Sequence, residues 1–145
     1  MKKIMIALVI ILTMCSMTVF AGDVNEKVLN AFKEDFSNVT DVKWTEGDNY
    51  FKAVFIFNNR QVSAYYNPYG ELYGVARHIT SLDLPLQLLI NLKKEYAQYW
   101  ITDLFEVAKK DDTIYYITLE DADTVTMLKA SGGNDWTIWK KTKKL

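Results

Sequence analysis

Gly70-Glu71-Leu72-Tyr73-Gly74-Val75 and Gly133-Asn134-Asp135-Trp136-Thr137-Ile138 are the same short segment met twice, with an offset of 63 from Gly70 to Gly133. Each is a glycine turn opening onto alternating apolar residues. Moving outward, Val62 answers Val125, and Val39-Thr40-Asp41-Val42 answers Ile101-Thr102-Asp103-Leu104. Further upstream Phe32-Lys33-Glu34-Asp35-Phe36 answers Leu92-Lys93-Lys94-Glu95-Tyr96 with an offset of 60, so two residues are inserted before Ile101. A period of this size means one supersecondary unit used twice.

Each unit begins with a helix. Val24, Val28, Leu29, Phe32 and Phe36 fall on one stripe, as do Leu88, Leu89, Leu92 and Tyr96, with Pro85 suited to the second helix's first turn. Alternating segments follow at about Val39 to Thr45, Tyr50 to Phe57, Gln61 to Tyr66 and Glu71 to Arg77, then Ile101 to Lys109, Thr113 to Leu119, Thr124 to Ala130 and Asp135 to Lys141. Turn-forming runs separate them, among them Asn58-Asn59, Asn67-Pro68-Tyr69-Gly70 and Asp121-Ala122-Asp123. The reading is α+β: a helix plus a four-stranded antiparallel meander, used twice, forming one sheet of about eight strands with helices on one face. Repeat one runs from about residue 24 to 77, a connection from 78 to 84, and repeat two from about 85 to 141.

The N-terminus reads as a secretory leader. Lys2 and Lys3 precede an apolar run, and Val19-Phe20-Ala21 supplies the small-residue cleavage site, so residues 1–21 are expected to leave. A retained anchor and lipid attachment at Cys15 are the alternatives. Over the whole chain 17 basic groups face 18 acidic ones. Loss of Lys2 and Lys3 takes the net charge from −1 to −3, which attracts neither nucleic acid nor anionic lipid. The single cysteine leaves with the leader, consistent with a periplasmic or secreted location.

The leader, the period, the aromatic run Tyr50-Phe51-Lys52-Ala53-Val54-Phe55-Ile56-Phe57 and the turn Asn67-Pro68-Tyr69-Gly70-Glu71-Leu72 together resemble the PepSY-like family of exported bacterial proteins, which is similar to the beta-lactamase inhibitor protein. The resemblance spans about Val24 to Lys141. It implies a small exported protein that binds or inhibits other proteins, with no catalytic residues to carry over.

The residues themselves argue against catalysis. His78, the one histidine, lies in the connection with Asp83 as its nearest carboxylate in sequence, and a general base needs an oriented partner facing a pocket. Asp111-Asp112 and Glu120-Asp121-Ala122-Asp123 lack the spacing and glycine of a calcium loop, and one histidine without cysteine makes no zinc site. Ser63, Ser81 and Ser131 have no glycine-flanked elbow, and Gly132-Gly133 falls between strands. Neither an enzyme nor a cofactor is expected.

Aromatic residues make up 14% of the chain, and alternation divides them between two sheet faces. Tyr115, Ile117, Leu119, Val125, Met127, Trp136 and Ile138 are assigned to the helix side. By the repeat, Lys52, Val54, Ile56, Val62, Ala64, Tyr73 and Val75 join them, although Lys52 fits poorly there. Phe55, Phe57, Tyr65, Tyr116 and Trp139 are then an open aromatic face and the candidate partner-binding residues, with Phe51 beside them. The expected function is a non-catalytic exported binding module, a protein inhibitor being one form, whose partner is another envelope or secreted protein or a second copy. The alternative is an envelope sensor holding a small ligand or carbohydrate between the halves.

Overall fold

A computed structural model describes residues 17–19, 23–132 and 134–145 of the chain. The leader reading therefore lies outside the described residues except at Met17–Val19, and so does Gly133 of the repeat. The elements are β1 (Met17–Val19), α1 (Glu26–Asp35), β2 (Lys43–Gly47), β3 (Tyr50–Phe57), β4 (Arg60–Tyr66), β5 (Leu72–His78), α2 (Leu86–Glu95), β6 (Trp100–Ala108), β7 (Thr113–Glu120), β8 (Thr124–Ser131) and β9 (Thr137–Lys143), with a 3-10 turn at Ser81–Asp83. Each strand is hydrogen-bonded to its neighbours in sequence order, so the fold is the expected α+β antiparallel meander, preceded by the short β1. Two compact units divide at Val75 and Ala76.

In the first unit the Asn25 side chain accepts from the Val28 N–H at 3.0 Å, satisfying an orphan donor at the start of α1. Its amide nitrogen donates to the Pro68 carbonyl at 2.9 Å. The turn held this way is built around buried Asn67, whose side-chain Oδ1 accepts from the Tyr69 and Glu71 N–H groups at 2.9 and 3.0 Å. Gly70 follows at φ 86°, and a Cβ there would lie 2.8 Å from the Lys27 carbonyl oxygen. The turn thus seats on the first turns of α1. In the second unit α2 does the same through non-equivalent residues: Asn91 donates to the Asn134 carbonyl at 3.0 Å, and the Trp136 indole donates to the Leu88 carbonyl at 3.0 Å.

The core of the first unit is an aromatic cluster. Phe32 of α1 lies 5.3 Å from Trp44, 5.0 Å from Phe55 and 6.3 Å from Tyr66, edge to face in each case. Phe51, Ala53, Phe55, Val62, Ala64 and Tyr66 complete it. The pairs Phe51↔Tyr66, Ala53↔Ala64 and Phe55↔Val62 face each other across the ladder, so one sheet face carries them all. This corrects the expected parity of β3. Phe51 and Phe55 lie under α1, while Lys52, Val54 and Ile56 take the other face. The helix needs large rings beneath it, and Lys52 cannot supply one.

Asn58 and Asn59, at φ 51° and 60°, close the β3–β4 hairpin as a two-residue primed turn. The expected strand at Val39 starts later, at Lys43, because Asn38 and Asp41 are left-handed at φ 65° and 57°. In the second unit the equivalent Ile101-Thr102-Asp103-Leu104 is strand, with a register shift between Ile101 and Asp103. There α2 covers Leu104, Ile117, Leu119 and Leu128. Leu119↔Thr126 and Leu128↔Ile138 pair on that side, so Val125 and Met127 lie on the opposite face from the one expected, and Ile138, expected in the core, is largely exposed.

Two predictions follow from these contacts. Gly70→Ala combines left-handed strain, about 1–3 kcal/mol, with the Lys27 contact, whereas Gly132 at φ 75° meets nothing within 4 Å. Thermal melts are expected to show a larger loss for Gly70→Ala than for Gly132→Ala; equal losses contradict the seating on α1. The second concerns Tyr66, whose hydroxyl donates to Asp35 at 2.8 Å. Burial first, then this bond and the carboxylate charge, raise its pKa above the ordinary value. Its contribution is therefore complete below about pH 10 and is lost as pH rises beyond that. Tyr66→Phe is expected to cost about 1–3 kcal/mol at neutral pH, with a gap to the unsubstituted chain that narrows in urea titrations at pH 11. A gap that widens contradicts it.

Candidate functional site

The sheet face turned away from α2 carries the most unusual packing. Phe105 and Tyr116 are register partners, and their rings stack at a centroid distance of 5.1 Å. Trp139 meets Tyr116 edge-on at 5.6 Å, placed there by the shift in the β8–β9 register after Met127. Tyr116 is only 1% exposed, and its hydroxyl has no hydrogen-bond partner among the described residues. Burial alone pushes its pKa up. Trp139 is half-buried. Trp100, whose register partner is Glu120, belongs to the same face and is 66% exposed.

In the first unit, the face turned away from α1 carries Lys52, Val54, Ile56 and Tyr65. The Lys52 ammonium sits 5.7 Å from the centre of the Tyr65 ring. Burial lowers the Lys52 pKa. Tyr65 also lies 5.9 Å from Tyr50, and burial, then Tyr50, push its pKa up to about 12. Ile56 is 60% exposed. Beside it an open cleft of about 460 Å³ is lined by Asn38, Asp41, Lys43, Val54 and Gln61 among others.

Of the five expected site residues, Tyr65, Tyr116 and Trp139 lie on faces turned away from their own helix. Phe55 does not: it is 2% exposed beneath α1. Phe57 shares the Phe55 side and meets Phe36 at 5.9 Å, so it rims the helix side instead. Trp100, Phe105 and Ile56 were missed. Phe105 was legible only as the cross-strand partner of Tyr116, and Trp100 as the large apolar residue inside the two-residue insertion before Ile101.

His78 finds Asp103 rather than Asp83. Its Nδ1 is 3.1 Å from the carboxylate, and the two side chains are 75% and 43% exposed. The shallow cleft around them, about 390 Å³, includes Ser81, Thr80 and Thr102. A pair this exposed is screened by water and shut into no enclosed pocket. Asp83 instead caps the 3-10 turn, accepting from the Thr80 N–H and hydroxyl at 2.9 Å. The acidic tip at Asp121 is satisfied by its own loop: Asp121 accepts from the Asp123 N–H at 2.8 Å and from the Thr124 N–H and hydroxyl at 2.6 and 2.9 Å. These bonds, with the Asp123 N–H first, lower its pKa. Among the described residues no cluster of three or more metal-ligating side chains is found, and no helix is long and apolar enough to cross a membrane.

No protein-family model matches the chain, so membership of the PepSY-like family is not shown, and no curated protein matches it. Solved structures do. A DUF2874 family protein from Bacteroides uniformis superposes with a TM-score of 0.72 at 14% identity, over 82% of this chain and 88% of that one. A protein from Bacteroides eggerthii, provisionally described as periplasmic, gives 0.71 at 14% identity, over 82% and 88%. A BLIP-like protein from Bacteroides fragilis gives 0.68 at 17% identity, over 82% and 85%. At these identities the likeness is one of fold, and the fold is that of the BLIP-like proteins.

Proposed function

We propose that the chain is an exported, non-catalytic binding module that meets a protein partner through sheet faces turned away from its helices. The observation that carries this reading is the second unit's face, where Phe105 and Tyr116 form a buried base beneath half-buried Trp139 and Trp100 stands largely exposed. Rigid aromatic side chains with pre-packed support are what interface hot spots draw on, because little side-chain entropy is lost when they bind. Tyr65 with Lys52 across its ring, and Ile56 further along the same face of β3, extend the same chemistry in the first unit. Removal of residues 1–21 and delivery to the periplasm or outside the cell belong to the same reading. It is supported by the leader-like sequence and by the fold shared with a protein provisionally described as periplasmic.

The test is capture of partners from envelope extract, followed by binding of the purified captured protein to the chain and to Trp100→Ala/Trp139→Ala, with circular dichroism confirming the fold. The double variant is expected to lose at least about 2 kcal/mol of binding, roughly thirtyfold. Unchanged affinity would remove these residues from the interface. A small molecule co-purifying with the unsubstituted chain, with no protein captured, would favour the sensor reading instead.

A further inference from the structure

The two ends of the strand order are built differently. At one end β9 exposes Lys140, Lys141 and Lys143, and its pairing with β8 carries a register shift between Met127 and Leu128. Charged lysines and irregular register are the ordinary means of keeping a further strand off an edge. At the other end β2 reads Lys-Trp-Thr-Glu-Gly, pairs with β3 in unbroken register from Lys43↔Val54 to Gly47↔Tyr50, and carries one positive and one negative side chain. That edge accepts a strand: Met17–Val19 lies antiparallel on it, with Met17↔Glu46, Thr18↔Thr45 and Val19↔Trp44 in register. The occupant is short, uncharged and β-branched at two of its three positions. It also falls within the stretch whose sequence reads as a removable leader, so cleavage after Ala21 takes the occupant away and leaves the β2 edge unpaired.

We propose that the outer edge of β2, Lys43–Gly47, is a docking edge for an extended, uncharged, β-branched peptide segment of another protein, and that Met17–Val19 occupies this site in the unprocessed chain. Backbone hydrogen bonds to the unpaired row supply the affinity, and the residues opposite Trp44 and Thr45 supply the selectivity, as in other strand additions. The site is separate from the aromatic faces and does not rest on them.

The experiment uses the full chain and its Thr18→Pro variant, with a blocked synthetic Ser-Met-Thr-Val-Phe peptide matching residues 16–20 as probe. Proline removes an amide from the middle of β1 and leaves every residue of β2 to β9 in place. Amide exchange at Lys43–Gly47 is expected to quicken about tenfold or more in Thr18→Pro, as an edge ladder opens, while β3 and β4 keep their protection and so report the fold. Adding the peptide is expected to restore protection in Thr18→Pro and to do little to the unsubstituted chain. A peptide with proline in place of its threonine is expected to fail. Unchanged exchange in Thr18→Pro, or no restoration by the peptide, overturns the proposal. Protection that returns with rising protein concentration and a doubled mass, without peptide, also overturns it, because the occupant would then be a second copy.

Discussion

The ring of Phe32 is the contact on which the first unit depends. It projects from α1 into Trp44, Phe55 and Tyr66, drawn from three successive strands, so one side chain on the helix fixes which face of each strand turns inward. A strand has a side-chain period of two, and a slip of one residue exchanges its faces completely. With Phe55 held beneath the helix, Lys52, Val54 and Ile56 have no choice but to face the other way, as does Tyr65 opposite Lys52. The candidate surface of this unit is thus a consequence of its core.

The second unit reaches a similar arrangement with aliphatic residues beneath its helix. Leu92 clusters with Leu104, Ile117, Leu119 and Leu128, with Tyr115 and Trp136 packed at the margin, while Phe105, Tyr116 and Trp139 take the opposite face. Because Phe105 and Tyr116 stack on each other there, that face has an ordered interior of its own, and the Tyr116 hydroxyl is left without a partner among the described residues. Burying such a group unpaired costs about 1–3 kcal/mol. A fold selected for stability alone would carry phenylalanine at this position.

The order of elements was legible because glycine turns, asparagine pairs and helical stripes are local signals, and Tyr50–Phe57 is the strand that alternation predicts. Face assignment was not local. The offset of 63 that aligns the two glycine turns was carried into the strands, where the inward sets Phe51, Ala53, Phe55 and Tyr115, Ile117, Leu119 differ by an even number. An odd offset across an even difference inverts the parity of β3, and with it the place of Phe55. Lys52 at the start of the expected core set was the residue that disagreed, and its charge was the better guide. Trp100 escaped because the repeat has no counterpart for an inserted residue, and β1 because three residues within an apolar stretch carry no strand signal of their own.

Within each unit, the division of the strands into a helix-covered face and one turned away from that helix underlies both the fold and the proposed function. The most direct measurement is aromatic and methyl NMR of the chain with a soluble paramagnetic agent, which broadens side chains that water reaches. Trp100 and Ile56 are expected to broaden strongly, while Phe55 and Phe32 keep their linewidths and show mutual ring contacts. Broadening of Phe55 together with protection of Ile56 would restore the opposite parity and contradict the account.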